Sequence, residues 1–282
     1  MKKITLKDGT EIPVLGQGTW YMGENPAKKE QEIETLRWGI EHDMNLIDTA
    51  EMYGEGASEE LVGEAIAPYD RSKLFIVSKV YPWNAGRDHI FQSCRNSLKR
   101  LGTDYLDMYL LHWRGDVPFE ETVDCMEELV EEGLIRRWGV SNLDVDDMEE
   151  LLDAGGDNCM ADQVLYHLGS RGAEVELLPW LQEHQMPMMA YCPLAQAGRL
   201  KASLLQNPEI QKVADKHHVT NVQILLAFVL SRPYTFTVPK ASSLEHVKAN
   251  RAAADIILDE EDLKRLDAAF PKPAYVNGLD MA

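Results

Sequence analysis

Asp48, Tyr53, Lys79 and His112 are the residues of this chain whose types and positions suit one another for chemistry. Each lies at or just past the end of an apolar run: "NLID" before the "TAEMYG" that carries Tyr53, "FIVSKV" around Lys79, and "MYLLHW" around His112. A charge at the end of an apolar strand has to be paired or used, because burying it alone is costly. Asp48 and Lys79 supply opposite charges for such a pair. A tyrosine hydroxyl titrates near pH ~10, so it is a poor proton donor at neutrality unless its anion is stabilised. A nearby ammonium favours the phenolate, and a carboxylate beyond it fixes the ammonium in place. The three residues therefore read as a tyrosine general acid, with His112 able to hydrogen-bond a substrate oxygen.

Four segments so far apart in sequence need a fold that gathers strand ends. Apolar strand-like runs occur at 14–15, 45–47, 74–77, 105–111, 135–140, 160–166, 186–191 and 235–238. Helix-like stretches separate them. In 87–101 the residues Ile90, Phe91, Cys94, Leu98 and Leu101 share a face, and 119–132 is similarly two-sided. Thr220 with Gln223, and Ser242 with Glu245, have the form of capping boxes opening helices. Strand and helix alternating eight times predict an α/β fold: a single (β/α)8 TIM barrel domain over 1–282. Residues 1–13, around an Asp8-Gly9 turn, read as a β-hairpin closing one end. An extra C-terminal helix at 258–270 and a tail at 271–282 complete the chain, the tail reaching the opposite end. The competing doubly wound sheet needs a Gly-rich turn, and Gly16-Gln17-Gly18 lacks the third glycine.

Composition narrows the partners. The 282 residues carry a formal charge of −19, which argues against a nucleic acid or an anionic membrane. An anionic ligand must then find a local basic patch. Cys94, Cys125, Cys159 and Cys192 are widely spaced and form no C-x-x-C pair, so zinc and disulfides are not indicated. The N-terminus has lysines without an apolar stretch behind them, and no run is long enough to span a membrane, so a cytoplasmic location is expected. In a TIM barrel the chemistry sits where strands end. That rule adds Ser141, Asn142, Gln163 and Lys240 to the set, and puts Trp20, Trp83 and Trp113 at the rim as an apolar substrate funnel. A metal site made of Asp48, Glu51, His112 and Asp162 is the rival grouping; it leaves Tyr53 and Lys79 idle.

The strings "LGQGTW", "LIDTAEMYG", "VSKV", "YLDMYLLHW", "GLIRRWGVSN", "YCPLA" and "VPK" occur in the order of the aldo-keto reductases, which the chain resembles over nearly its whole length. The resemblance implies that Asp48, Tyr53, Lys79 and His112 are a catalytic four for NADPH-dependent reduction of small aldehydes and ketones. It implies a cofactor site of Gly18, Thr19 and Trp20, with Ser141, Asn142 and Gln163 on the carboxamide and Tyr191 stacked on the nicotinamide. Pro193, Leu194 and Arg199 would follow the diphosphate, and Lys240, Ser242, His246 and Asn250 the adenosine 2′-phosphate end. His246 stands where many members carry an arginine, a planar fork that histidine does not copy, so NADH is a possible second cofactor. Short covering loops imply an open pocket. The stretches "GQGTWYMGE", "VYPWNAG" and "ADQVLYHLGSRG" look most like bacterial methylglyoxal-reducing members, with 2-oxoaldehydes and aromatic aldehydes as substrates and a monomer as the default. The alternative function is a nucleotide-binding redox sensor or partner subunit on the same fold, as in the channel-associated relatives.

Overall fold

The computed structural model describes residues 1–196, 199–276 and 278–281. Side-chain parity along the strands explains how it is built. Along a strand, alternate residues face opposite sides. Leu46, Phe75, Val77, Met108, Leu110, Ala161, Met189, Phe236 and Val238 share one interior cluster. The residues between them, such as Ile47, Ile76, Val80, Tyr109, Leu111, Trp138, Val140 and Val164, pack in a second cluster with the helices. Counting on by two from the interior residues reaches Asp48, Lys79, His112, Gln163 and Tyr191. Each strand is thus apolar at its start and polar at its end on the same inward face.

The elements run in chain order. Strands β1 (Lys3–Thr5) and β2 (Glu11–Pro13) form the hairpin. The barrel strands are β3 (Gln17–Gly18), β4 (Leu46–Asp48), β5 (Phe75–Val80), β6 (Met108–Leu111), β7 (Trp138–Ser141), β8 (Asp162–Leu165), β9 (Met188–Tyr191) and β10 (Thr235–Thr237). They are parallel and adjacent in sequence order. The helices are α1 (Lys29–Glu41), α2 (Ala57–Ile66), α3 (Ile90–Leu101), α4 (Phe119–Glu131), α5 (Val145–Asp153), α6 (Leu177–Glu183), α7 (Arg199–Leu205), α8 (Pro208–His217), α9 (Asn221–Leu230), α10 (Leu244–Ala253) and α11 (Glu260–Ala269). The sheet closes into a barrel through the bridges Leu15 to Thr237 and Gly18 to Lys240.

That seam corrects the first strand. Val14 belongs to the interior cluster beside the hairpin, Leu15 makes only a bridge, and β3 is the two residues Gln17–Gly18. Glycine is required here by close approach: a Cβ on Gly16 would lie 2.5 Å from Leu46, and one on Gly18 would overlap the Val238 carbonyl. The Gly16-Gln17-Gly18 pattern is therefore the barrel's closing seam. The other strands begin or end one to three residues from the apolar runs, as at β6, where Leu106 only bridges to Ile135. The helix expected from residue 87 starts at Ile90. Thr220 and Gln223 form the expected capping box; the second is displaced, because Ser243 rather than Ser242 caps α10 by accepting from the His246 amide. An unforeseen box, Asp259 with Asp262, opens α11.

The hairpin plugs the floor. Ile4, Leu6 and Ile12 join the interior cluster, each contributing about 1.5–3 kcal/mol by leaving water. At the other end the tail crosses the mouth: Arg171 donates to the Phe270 carbonyl at 2.6 Å, Ser170 Oγ bonds to Asp280, and Met281 reaches the central cavity.

Asp162 has the helix-facing parity, opposite to Gln163, and its carboxylate is met by the Leu143 amide, with Asp144 and Asp147 as the nearby charges. Complete burial pushes its pKa well above the usual carboxylate range. A raised folded-state pKa means that its contribution is fully present below pH ~3.9, the unfolded value, and is lost as pH rises toward the folded one. Asp162→Asn is therefore expected to be more stable than the wild type at pH 8. The two should converge below pH 4 in denaturant melts; a constant difference across pH would contradict this.

Candidate active site

The chain leaves β4 at Asp48 and returns through Tyr53 in a short 3-10 turn, Tyr53–Gly56, before entering α2. Gly54, Glu55 and Gly56 have φ of 57°, 53° and 96°. Three successive left-handed residues, two of them glycine, turn the chain sharply beside the barrel mouth. Tyr53 is 8% exposed.

Lys79, on β5, is fully buried and all three of its ammonium donors are used. Nζ bonds Asp48 at 2.8 Å to Oδ1 and 3.0 Å to Oδ2, the Thr49 carbonyl at 2.9 Å, and Tyr53 Oη at 3.0 Å. Asp48 also accepts from Gln163 Nε2 at 2.9 Å. His112 stands with its ring edge-on to Tyr53, centroids 5.9 Å apart, and its Nδ1 has no hydrogen-bond partner. The sequence-derived set of four thus meets around one point.

Electrostatics fixes the protonation states. Burial, then the Asp48 charge and Cys192, push the Tyr53 phenol well above its ordinary value. Lys79 is pulled down by burial and held up by Asp48 and Glu59. The expected lowering of the Tyr53 pKa does not occur in this state, because Asp48 neutralises the ammonium and desolvation then dominates. Burial, with Lys79 adding to it, depresses His112 to about 2, so its imidazole is neutral. The site therefore holds a phenol proton beside a neutral imidazole.

Two cavities share this centre. The inner one, about 280 Å³, is lined by Trp20, Met52, Tyr53, His112, Trp113, Ser141, Asn142, Gln163, Tyr191 and Met281. A groove of about 440 Å³ runs outward past Gly18, Thr19, Trp20, Tyr21, Cys192, Pro193, Leu194, Lys201 and Lys240. Trp20, Tyr53 and Tyr191 belong to both walls. An amide cluster edges the inner cavity: Asn142, at φ 62°, donates to Ser141 Oγ at 3.0 Å and to the His112 carbonyl at 3.2 Å, and accepts from Tyr191 Oη at 2.9 Å.

The structure moves some expected residues off these walls. Arg199 is exposed at the start of α7 and does not line the groove, whereas Lys201 does. The intervening part of the "PLAQAGRL" stretch, Ala197 and Gly198, lies outside the described residues. Trp83 is 60% exposed, stacked on Tyr81 and 5.8 Å from Trp113, outside the inner cavity that Trp20 and Trp113 line. Ser242, His246 and Asn250 follow Lys240 into α10 beyond the groove wall; Asn250 is buried with Nδ2 unbonded. Lys201, Tyr21, Met52 and Met281 escaped the sequence reading. Nothing in the local pattern fixes the phase of α7 or the path of the tail. The rival metal grouping is not brought together: Asp162 faces the helices, opposite in parity to Gln163, whereas Asp48 bonds Lys79.

Comparison with known proteins accords with this geometry. The aldo/keto reductase family model matches residues 14–270. The methylglyoxal reductase YeaE of Escherichia coli (strain K12) is 52% identical over 281 residues, 99% of each chain. A glyoxal reductase of Bacillus subtilis is 32% identical over 267 residues, covering 94% of this chain and 91% of its own. Among solved structures, an aldo/keto reductase from Klebsiella pneumoniae in complex with NADP and acetate superposes with a TM-score of 0.96 at 54% identity, covering 100% of this chain and 99% of its own. One from the same organism with NADPH gives 0.96 at 53% identity over the whole of both chains. A barrel with a buried Asp-Lys-Tyr chain at its mouth and these full-length matches together place the protein: the chain belongs to the aldo/keto reductase family.

Proposed function

We propose that this protein reduces small aldehydes and ketones with NADPH, 2-oxoaldehydes such as methylglyoxal first and aromatic aldehydes after them. The observation that carries the reading is the Asp48–Lys79–Tyr53 chain opening into an inner cavity that shares its wall with a longer groove bearing two lysines. The groove fits an anionic dinucleotide. Gly18, Thr19, Pro193 and Leu194 give it a close backbone-lined wall, Lys201 and Lys240 supply positive charge in a chain of net −19, and the Ser141 hydroxyl with the Asn142 and Gln163 amides lines the adjoining inner cavity. When bound, NADPH supplies the hydride.

The side chains manage the proton and the oxygen. Neutral His112 and the Tyr53 hydroxyl border the cavity, so a carbonyl oxygen placed between them meets hydrogen-bonding groups from both. A phenol is intrinsically a stronger acid than an alcohol, which suits Tyr53 to protonating an oxygen that is becoming an alkoxide. As Tyr53 gives up its proton, Lys79 at 3.0 Å meets the charge that forms. That interaction strengthens only as the reaction proceeds, which is the condition for raising rate rather than mere affinity. Asp48 and the Thr49 carbonyl keep the ammonium from moving. Trp20, Trp113 and Met281 give the cavity apolar sides, and its size suits compact substrates. Lys240 favours NADPH; with His246 exposed and off the groove wall, NADH remains a second cofactor.

The reading extends to a monomeric cytoplasmic enzyme, and the four free cysteines accord with that compartment. Cys192 lines the groove, but burial pushes its thiol up to about 11, so it is a wall residue rather than a nucleophile.

Oxidation of NADPH with methylglyoxal, followed for wild type and Tyr53→Phe alongside fluorescence titration of NADPH, tests the assignment. The variant should lose about 10²–10⁴-fold in kcat and bind NADPH as before. Binding without turnover in the wild type would favour the sensor alternative. Because His112 stays neutral down to about 2, kcat should show no imidazole titration between pH 5 and 8. A limb near 6.5 that disappears in His112→Gln would refute that. Its depressed pKa also means that stability is present above pH ~6.5 and declines as pH falls below it. Lys240→Met should weaken NADPH about tenfold and NADH much less, by fluorescence titration at fixed salt.

A further inference from the structure

Behind the site, on the helix-facing side of β5, lies a second buried charge pair that the chemistry above does not use. Glu59, in the first turn of α2, is completely buried. It accepts from Ser78 Oγ at 2.5 Å and from Arg100 Nε at 2.6 Å. Ser78 precedes Lys79, with its side chain on the opposite face of the same strand. Arg100, near the end of α3, lies where residue 56 would carry a side chain: a Cβ on Gly56 would fall 2.6 Å from Arg100 Cδ. Gly56 closes the turn that carries Tyr53, and the Arg100 carbonyl packs as closely on Gly63 of the same helix. One guanidinium and one carboxylate thus join the tyrosine's turn, the helix behind it and the lysine's strand.

A buried ion pair contributes little net stability over an apolar replacement, so its position one residue from Lys79 is the informative fact. We infer that Arg100, Glu59 and Ser78 form a positioning bracket that sets the spacing between Tyr53 and Lys79 and places a fixed negative charge behind the ammonium. The inference rests on the reductase reading above. The titratable groups facing the centre come from every side: Asp48 and the neutral Cys192 thiol toward Tyr53, Asp48 and Glu59 toward Lys79, and Lys79 toward His112. Glu51 lies nearby, bonded to the Tyr81 amide and Asn84, and Arg100 reaches partly into solvent. Loss of a proton from either Tyr53 or Lys79 makes the centre more negative. Glu59 favours the charged ammonium of Lys79, so removing its charge makes that proton easier to lose.

The test uses the full-length enzyme with NADPH and methylglyoxal. Glu59→Gln should lower kcat about tenfold, leave KM and NADPH affinity within twofold, and move the basic limb of the kcat profile to lower pH by about half a unit or more. If kcat stays within twofold and the limb does not move, whatever happens to the melting temperature, the bracket is merely structural and the inference is wrong. Should Glu59→Gln fail to fold, Ser78→Ala keeps both charges and cuts only the link to the strand. A drop in kcat of about threefold or more with an unchanged circular dichroism spectrum then supports the bracket, and an unchanged kcat overturns it. Absence of turnover in the wild type overturns the reductase reading and this inference with it, a result distinct from an active wild type matched by its variants.

Discussion

The ion pair between Lys79 and Asp48 is the constraint on which the rest of the site depends. A fully buried ammonium is tolerable only if its charge is matched and its three N–H groups are bonded. Asp48, the Thr49 carbonyl and Tyr53 Oη meet that requirement, which ties the end of β4, the loop after it and the tyrosine's turn to the middle of the barrel. Tyr53 is held by the lysine's need for a third partner as much as by its own packing. Gln163 on Asp48 extends the chain across to β8, four strands away from β4 in the sheet order.

The barrel makes that arrangement possible through strict parity. Inward residues are apolar toward the floor and polar toward the mouth, and each polar residue sits two positions beyond an apolar one. The cost of a sealed, charged centre is offset by the hydrophobic layers beneath it and by the hairpin that completes them. At the seam between β3 and β10 the chain has no room for side chains, and glycines take those places.

Much of this was legible before any coordinates. A charged or hydroxylated residue closing an apolar run stands out against its surroundings, which is why Asp48, Tyr53, Lys79 and His112 could be grouped by type and position. Strand order followed from regular alternation. What escaped depends on contacts between distant segments. The groove is lined by Lys201 rather than Arg199 because of how α7 is turned, and "KASLL" carries no mark of that. Trp83 and Trp113 look alike in sequence, yet only Trp113 lines the cavity. Gly16 and Gly18 resembled a fragment of a phosphate loop, and only the approach of Leu46 and Val238 shows their purpose. The Glu59 to Arg100 link joins two helices 41 positions apart, with nothing in either segment to announce the other.

The stoppered floor has a consequence for how the catalyst resets. With Ile4, Leu6 and Ile12 filling the barrel below, and the Lys79 ammonium closed off by its own three partners, Tyr53 borders the cavity at the mouth and packed side chains lie beneath it. On the proposed mechanism, the proton that Tyr53 surrenders returns by the way the substrate came, and the acid is recharged when the cavity stands open to solvent.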